Sequence, residues 1–152
     1  MISYFGRLFP EKNVDTLIKA FGVVKEHMPD AVLVIGGQGN KMEELQHLAL
    51  EQGTSDIIFT GGVSEDEKRA LMQTSAVGVI PTRPIEEFVE TLCISAIEYE
   101  AAGTPLITTT VGGVPEAAGE HSLYVDYDNP RGIAEAIEGV LTNTEKQQEM
   151  AT

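Results

Sequence analysis

Six short apolar runs, separated by stretches with helical periodicity, decide what this chain can fold into. "ISYFG" (2–6), "AVLVIGG" (31–37), "DIIFTGG" (56–62), "AVGVIP" (76–81), "PLITT" (105–109) and "SLYV" (122–125) are too short for core helices. They have the apolar composition of strands buried on both faces. Between the first two runs, Val14, Leu17, Ile18, Phe21, Val24 and Met28 recur at helical spacing until Pro29. Residues 41–52 read as a helix closed by Gly53. Ser64 and Glu67 have capping-box spacing and open a helix through Gln73. A further helix covers 92–102, and a short one follows Gly112–Gly113. After Asn129–Pro130, a helix carries Ile133, Ile137, Val140 and Leu141 on one face. The polar tail from Thr142 is expected to fray. Strict strand–helix alternation predicts one doubly wound α/β domain, a parallel sheet of about six strands with helices on both faces. Such sheets bind ligands beyond the carboxyl ends of their strands, so the loops there are where chemistry belongs.

Length and charge narrow the possibilities. The 152 residues, 42% hydrophobic and 22% charged, suit one globular domain. No apolar run reaches the roughly 20 residues that span a bilayer, and no signal peptide is visible. The single cysteine, Cys93, excludes an internal disulfide framework and fits a reducing compartment. These features predict a cytoplasmic chain, with peripheral membrane contact open to a longer parent protein. The net charge of −14 opposes non-specific binding to nucleic acid. Such acidity can also reflect a halophilic source, although glutamate outnumbers aspartate 18 to 6.

Each strand-end loop admits two readings. In "GRLFPEK" (6–12), Gly6 permits a tight turn, while Arg7 and Lys12 put two cations at the sheet edge. They are a phosphate site or a solvated turn in which Lys12 pairs with Glu11. "GGQGN" (36–40), with Gly36 and Gly39, brings backbone close to a ligand or makes a plain turn. "PTRPIEEFVE" (81–90) carries Arg83 as an exposed cation and Glu86, Glu87 and Glu90, a run that is commonly solvated surface. Glu90 stands apart because a helix follows it, aiming the N–H groups of Leu92, Cys93 and Ile94 at the cleft. Eight residues later comes Glu98, about 80° around a helix from Glu90 and about 12 Å along it. That separation suits two hydroxyl acceptors along one elongated, sugar-bearing ligand better than an acid–base pair acting on one bond. Gly112–Gly113 would let backbone close on the same ligand. His27, His47 and His121 are isolated, so no zinc pattern is present.

"GRLFPEKNVDTLIKAF", "LVIGGQGNKMEEL", "IIFTGGVSEDE", "ETLCISAIEYEAAGTPLI" and "TTVGGVPE" occur in one order across nearly the whole chain. Together they resemble the C-terminal, donor-binding domain of family 4 (group 1) retaining glycosyltransferases, which pair two Rossmann-like domains in the GT-B fold. The resemblance implies that residues 1–152 bind a nucleotide-sugar and that the N-terminal acceptor domain is absent. It implies that Arg7 and Lys12 hold the diphosphate, Glu90 meets the donor sugar, and Glu98 meets the ribose. It adds backbone contacts at Gly6, Gly36, Gly39 and Leu92–Ile94, and no metal or other cofactor. The chain departs from the family pattern at Asn13, where glycine is usual, and at Thr91–Leu92–Cys93, where P-F-G is common. Tyr99 and Glu100 are also larger than the usual residues. The resemblance implies transfer of a sugar to a glycan, lipid or small-molecule acceptor, which this domain would not perform alone. Two other readings stand beside it: a nucleotide-sugar 2-epimerase-like domain and a non-catalytic nucleotide-binding module.

Overall fold

The structure is a computed structural model that describes residues 1–53, 55–86 and 90–151. Glu87 of the acidic run lies outside the described residues. The strands are β1 (Ile2–Phe5), β2 (Leu33–Gly36), β3 (Ile57–Gly61), β4 (Val77–Ile80), β5 (Leu106–Thr108) and β6 (Leu123–Tyr124). They form one parallel sheet in the order β3-β2-β1-β4-β5-β6. The helices are α1 (Val14–His27), α2 (Met42–Glu51), α3 (Glu65–Thr74), α4 (Ile94–Ala102), α5 (Val114–Ala118), α6 (Pro130–Leu141) and α7 (Thr144–Ala151). The expected doubly wound architecture is therefore present. The expectation of a frayed tail is corrected: residues 144–151 form α7. Asn143 caps it by accepting the Lys146 N–H at 3.0 Å, and Gln147 Nε2 donates back to the Val140 carbonyl at 2.8 Å.

The period-two alternation of β1 splits the core. Ile2 and Tyr4 face one side with Leu33, Ile35, Val77, Val79 and the apolar faces of α1 and α6. Phe5 faces the other side with Val34, Ile80, and Ala96 and Tyr99 of α4. Ser3 shares that side, where its buried hydroxyl meets Tyr99 Oη at 2.9 Å and Ser75 Oγ at 2.7 Å. Burial pushes the Tyr99 phenol far above its ordinary value, so it stays protonated. Tyr99 fits because its neighbour across the core is Gly78, where a Cβ would sit 2.4 Å from the ring.

Helix ends follow local chemistry. Ser64 accepts from the Glu67 N–H at 3.1 Å while Glu67 reaches back to the Ser64 N–H, closing the capping box. Gly103, at φ 70°, ends α4. Asn13 holds the one positive-φ non-glycine position among the described residues, at φ 58° and ψ 32°. Asparagine is among the side chains that tolerate this region. Here its amide also donates to the Pro81 carbonyl at 2.9 Å and to the Tyr127 carbonyl at 2.7 Å.

Adding a methyl at two glycines should move stability in opposite directions. Gly78→Ala forces Cβ into the Tyr99 ring and should cost about 1–3 kcal/mol. Gly139→Ala, inside α6 with its nearest neighbour the Lys146 amine at 3.8 Å, should gain about 0.5–1 kcal/mol. Urea unfolding of both variants checks the pair, and equal effects would contradict the packing described here.

Candidate functional site

Strand order brings the loops after β1 and β4 together. β1 lies between β2 and β4, so the chain leaves it toward one side of the sheet while the β4 connection leads toward the other. A crevice opens at such a reversal. The first loop contributes residues 6–13, including a 3₁₀ turn at Pro10–Lys12. The second contributes residues 81–86 and 90–93.

Lys12 and Glu90 meet across this crevice. Lys12 Nζ donates to Glu90 Oε2 at 2.6 Å, and both residues are buried. The reading in which Lys12 pairs with adjacent Glu11 is thereby corrected. Glu90 is held from its other side by the β5–α5 loop: its carbonyl accepts the Gly113 N–H at 2.6 Å. A Cβ on Gly112 would sit 2.3 Å from that carbonyl oxygen, and one on Gly113 would sit 2.2 Å from the Thr91 carbonyl oxygen. Gly112–Gly113 thus close on the backbone of the β4–α4 loop, where the sequence suggested closure on a ligand.

Arg7 is exposed, with its guanidinium carbon 5.2 Å from the centroid of the Phe9 ring. Its carbonyl accepts the Tyr4 hydroxyl at 2.7 Å. Burial raises the Tyr4 phenol well above its ordinary value, which preserves that donor. Gly6 leaves room for the same hydroxyl, since a Cβ there would lie 2.7 Å from it. Arg7 lines a cavity of about 320 Å³ with Phe5, Gly6, Gly36, Gly37, Gln38 and Lys68. Gly36 accommodates the Phe5 ring, and Gly37 (φ 125°) lies where a Cβ would come 1.9 Å from the Gly6 carbonyl oxygen. Gly39 is not in the cavity wall. It packs on Leu8, whose carbonyl oxygen a Cβ would approach to 2.4 Å, so it knits two loops together.

Helix α4 begins at Ile94, two residues later than the sequence suggested, and Cys93 is its N-cap. Leu92 is exposed and outside the helix. Among the described residues, no carbonyl takes the N–H groups of Leu92, Cys93, Ile94 or Ser95, so four donors remain at this end. The Cys93 side chain packs into the core beside Ala96 and Val114, and burial pushes its thiol up.

Glu98 sits elsewhere. Its Oε1 takes a 2.7 Å ion pair from Lys68 Nζ of α3, beside a separate cavity of about 170 Å³. Lys68 lines both cavities, yet membership of a capped helix is the one signal for it in the sequence. Arg83 is also corrected: it is half-buried, not a free cation. Its N–H donates to the Glu11 carbonyl at 2.9 Å and its Nη1 to Asn13 Oδ1 at 3.3 Å, with Asp15 Oδ2 3.6 Å away. Among the described residues there is no group of three or more metal-ligating acids, histidines or cysteines, and no helix is long and apolar enough to cross a membrane.

Comparisons with known proteins show what the chain as a whole is similar to. Residues 1–152 match the family described as Glycosyl transferases group 1. The GDP-mannose-dependent alpha-(1-6)-phosphatidylinositol monomannoside mannosyltransferase of Mycobacterium tuberculosis is 36% identical over 146 residues, 93% of this chain and 38% of its own length. The chain thus spans well under half of that relative. The C-terminal domain of a group 1 glycosyl transferase (LpcC) from Francisella tularensis superposes with a TM-score of 0.85 at 21% identity, over 99% of this chain and 80% of that one. Anabaena Alr3699/HepE in complex with UDP-glucose gives a TM-score of 0.84 at 19% identity, over 99% and 41%.

The Lys12–Glu90 pair should show strong coupling. Lys12→Met strands a buried carboxylate and should cost about 3–5 kcal/mol, whereas Lys12→Met/Glu90→Leu should recover most of that loss. A urea-unfolding double-mutant cycle measures it. A coupling near zero would mean that the pair does not tie the loops together.

Proposed function

Because the chain belongs to the group 1 glycosyl transferases, we propose that it is the C-terminal, donor-binding half of a family 4 retaining enzyme that uses a nucleoside-diphosphate sugar. The observation that carries this reading is the cavity where Arg7 meets the backbone of Gly6, Gly36 and Gly37. A cation and exposed backbone suit an anion that lies close to the main chain. The N–H groups at the start of α4, which no carbonyl among the described residues takes, extend the same preference.

In this reading the diphosphate lies between Arg7, Lys12 and the α4 N-terminus. The two cations stabilise the charge that grows on the departing nucleoside diphosphate as the sugar–oxygen bond breaks. That neutralisation is a task that two fixed cations can perform without a metal. Lys12 is held by Glu90 before donor arrives, so a polyanion would share or draw off its ammonium. Glu90 then accepts from hydroxyls of the donor sugar, and Glu98 from those of the ribose. Transfer also requires an acceptor-binding domain, and the purified chain should bind donor without moving sugar. HepE in complex with UDP-glucose and the GDP-mannose dependence of the mannosyltransferase support a nucleotide-sugar ligand.

Calorimetric titration with UDP, GDP and ADP and with the matching nucleosides tests the proposal. At least one diphosphate should bind. Arg7→Ala should weaken it by roughly 10-fold or more, about 1.4 kcal/mol, while nucleoside affinity changes less than about 2-fold. Arg7 is the better probe than Lys12 because it is exposed and, among the described residues, makes no ion pair. No binding by any diphosphate at millimolar concentration would favour a non-catalytic module instead.

A further inference from the structure

The position of Glu98 sets the terms for a role at the ribose. Its carboxylate lies beside the smaller cavity with Glu65 and Arg69, while Arg7 and the glycine loops line the larger one. Lys68 is the side chain that belongs to both walls. Its ammonium bonds Glu98 Oε1 at 2.7 Å and the Glu65 carboxylate at 3.1 Å. Both Lys68 and Glu98 are largely shielded, with side chains 20% and 27% exposed. Burial by itself would lower the Lys68 pKa, but hydrogen bonds to Glu98 and Glu65 outweigh it, and the ammonium is held above its ordinary range. The lysine is therefore a permanent cation in the partition between the two cavities.

We propose that Lys68 is a positioning residue for nucleoside recognition: by occupying Oε1 of Glu98 it fixes the carboxylate and leaves Oε2 as the acceptor for ribose hydroxyls. The proposal rests on the reading that Glu98 meets the ribose. Glutamate has three rotatable side-chain bonds, and a ligand that must immobilise it loses affinity. An ion pair made before the ligand arrives removes that loss. Lysine suits the task because its compact ammonium can hold two carboxylates at once. Glu65 competes for the same ammonium from one turn earlier on α3, so it tunes how firmly Glu98 is gripped.

The experiment compares Kd values of UDP and GDP with those of their 2′,3′-dideoxy forms, for the full chain and three variants. The ratio of dideoxy to ribose Kd reports hydroxyl recognition and cancels effects on the diphosphate. Lys68→Met should shrink this ratio by roughly 3- to 10-fold. Lys68→Arg should retain most of it, and Glu98→Gln should lower it as well. If Glu98→Gln lowers the ratio and Lys68→Met does not, the positioning role is overturned while the ribose reading stands. If Glu98→Gln leaves the ratio unchanged, the ribose reading fails and takes the proposal with it. An equal loss of both ligand forms in Lys68→Met would make the lysine a simple counter-charge and also overturn positioning. Should Lys68→Met fail to fold, Glu65→Gln serves: releasing the competitor should preserve or raise the ratio, and a fall contradicts the proposal. Absence of binding by all four nucleotides at millimolar concentration would overturn both readings.

Discussion

A buried ion pair between residues 78 positions apart, Lys12 and Glu90, holds the working edge of this domain together. Removing two charges from water costs several kcal/mol per ion, and such pairs seldom add stability over apolar packing of the same shape. Its value lies in location. Strand order 3-2-1-4-5-6 sends the chain away from β1 in two directions, and the resulting crevice has no backbone ladder to bridge it. The pair bridges the β1 and β4 loops at their buried side, beside the bond from the Arg83 N–H to the Glu11 carbonyl. Around it, Tyr4 fixes the Arg7 carbonyl, Gly113 fixes the Glu90 carbonyl, and Asn13 stitches the start of α1 to Pro81 and Tyr127. Among the described residues, the loops after β1, β4 and β5 are therefore tied by specific bonds before any ligand arrives.

The glycines of the edge serve mainly that internal fit. Gly37 approaches Gly6, Gly39 approaches Leu8, and Gly112 approaches Glu90, each closer than any Cβ would permit. Loops joined backbone to backbone have few alternatives to explore, and a site prepared in this way loses less entropy on binding. The same close fit extends below the site, where Gly78 admits the Tyr99 ring beneath β4. The large residue at 99 is thus compensated by a small one 21 positions earlier, within the core cluster that also holds Cys93.

The architecture was legible because its determinants are local. β-branched runs, the Ser64–Glu67 capping box and Asn129–Pro130 each specify their own segment, and their alternation leaves few topologies. The tail was misread because a polar composition hides the Asn143 cap and the bond from Gln147 to Val140. Within the site, Arg7 at a cavity wall and unpaired donors before α4 could be read from strand-end position alone. Partner choice could not. Lys12 meets Glu90 instead of its neighbour Glu11, and Lys68 meets Glu98 across 30 residues, because tertiary packing decides which carboxylate reaches which ammonium. The double glycine at 112–113 announced a close approach, but sequence could not say whether ligand or backbone would fill it.

Charge arrangement then sets the terms on which an anion can be held. The chain carries 24 acidic and 10 basic side chains, so its long-range field repels anions. Near the crevice the cations come already matched: Lys12 with Glu90, Lys68 with Glu98, Arg83 with Asp15 and Lys41 with Glu44. Arg7 differs, since among the described residues it lies over an aromatic ring and makes no carboxylate pair. Electrostatic steering at a distance is therefore absent, and discrimination must arise at contact, where the field falls off within about 8–10 Å in physiological salt. A monovalent anion can engage Arg7 but gains little by competing with a buried carboxylate for Lys12. In the proposed donor-binding reading, a diphosphate would engage Arg7, the α4 N–H groups and a share of Lys12 together. Matched cations would, in that reading, favour multiply charged ligands, because only these repay the disturbance of a pair that organises the edge.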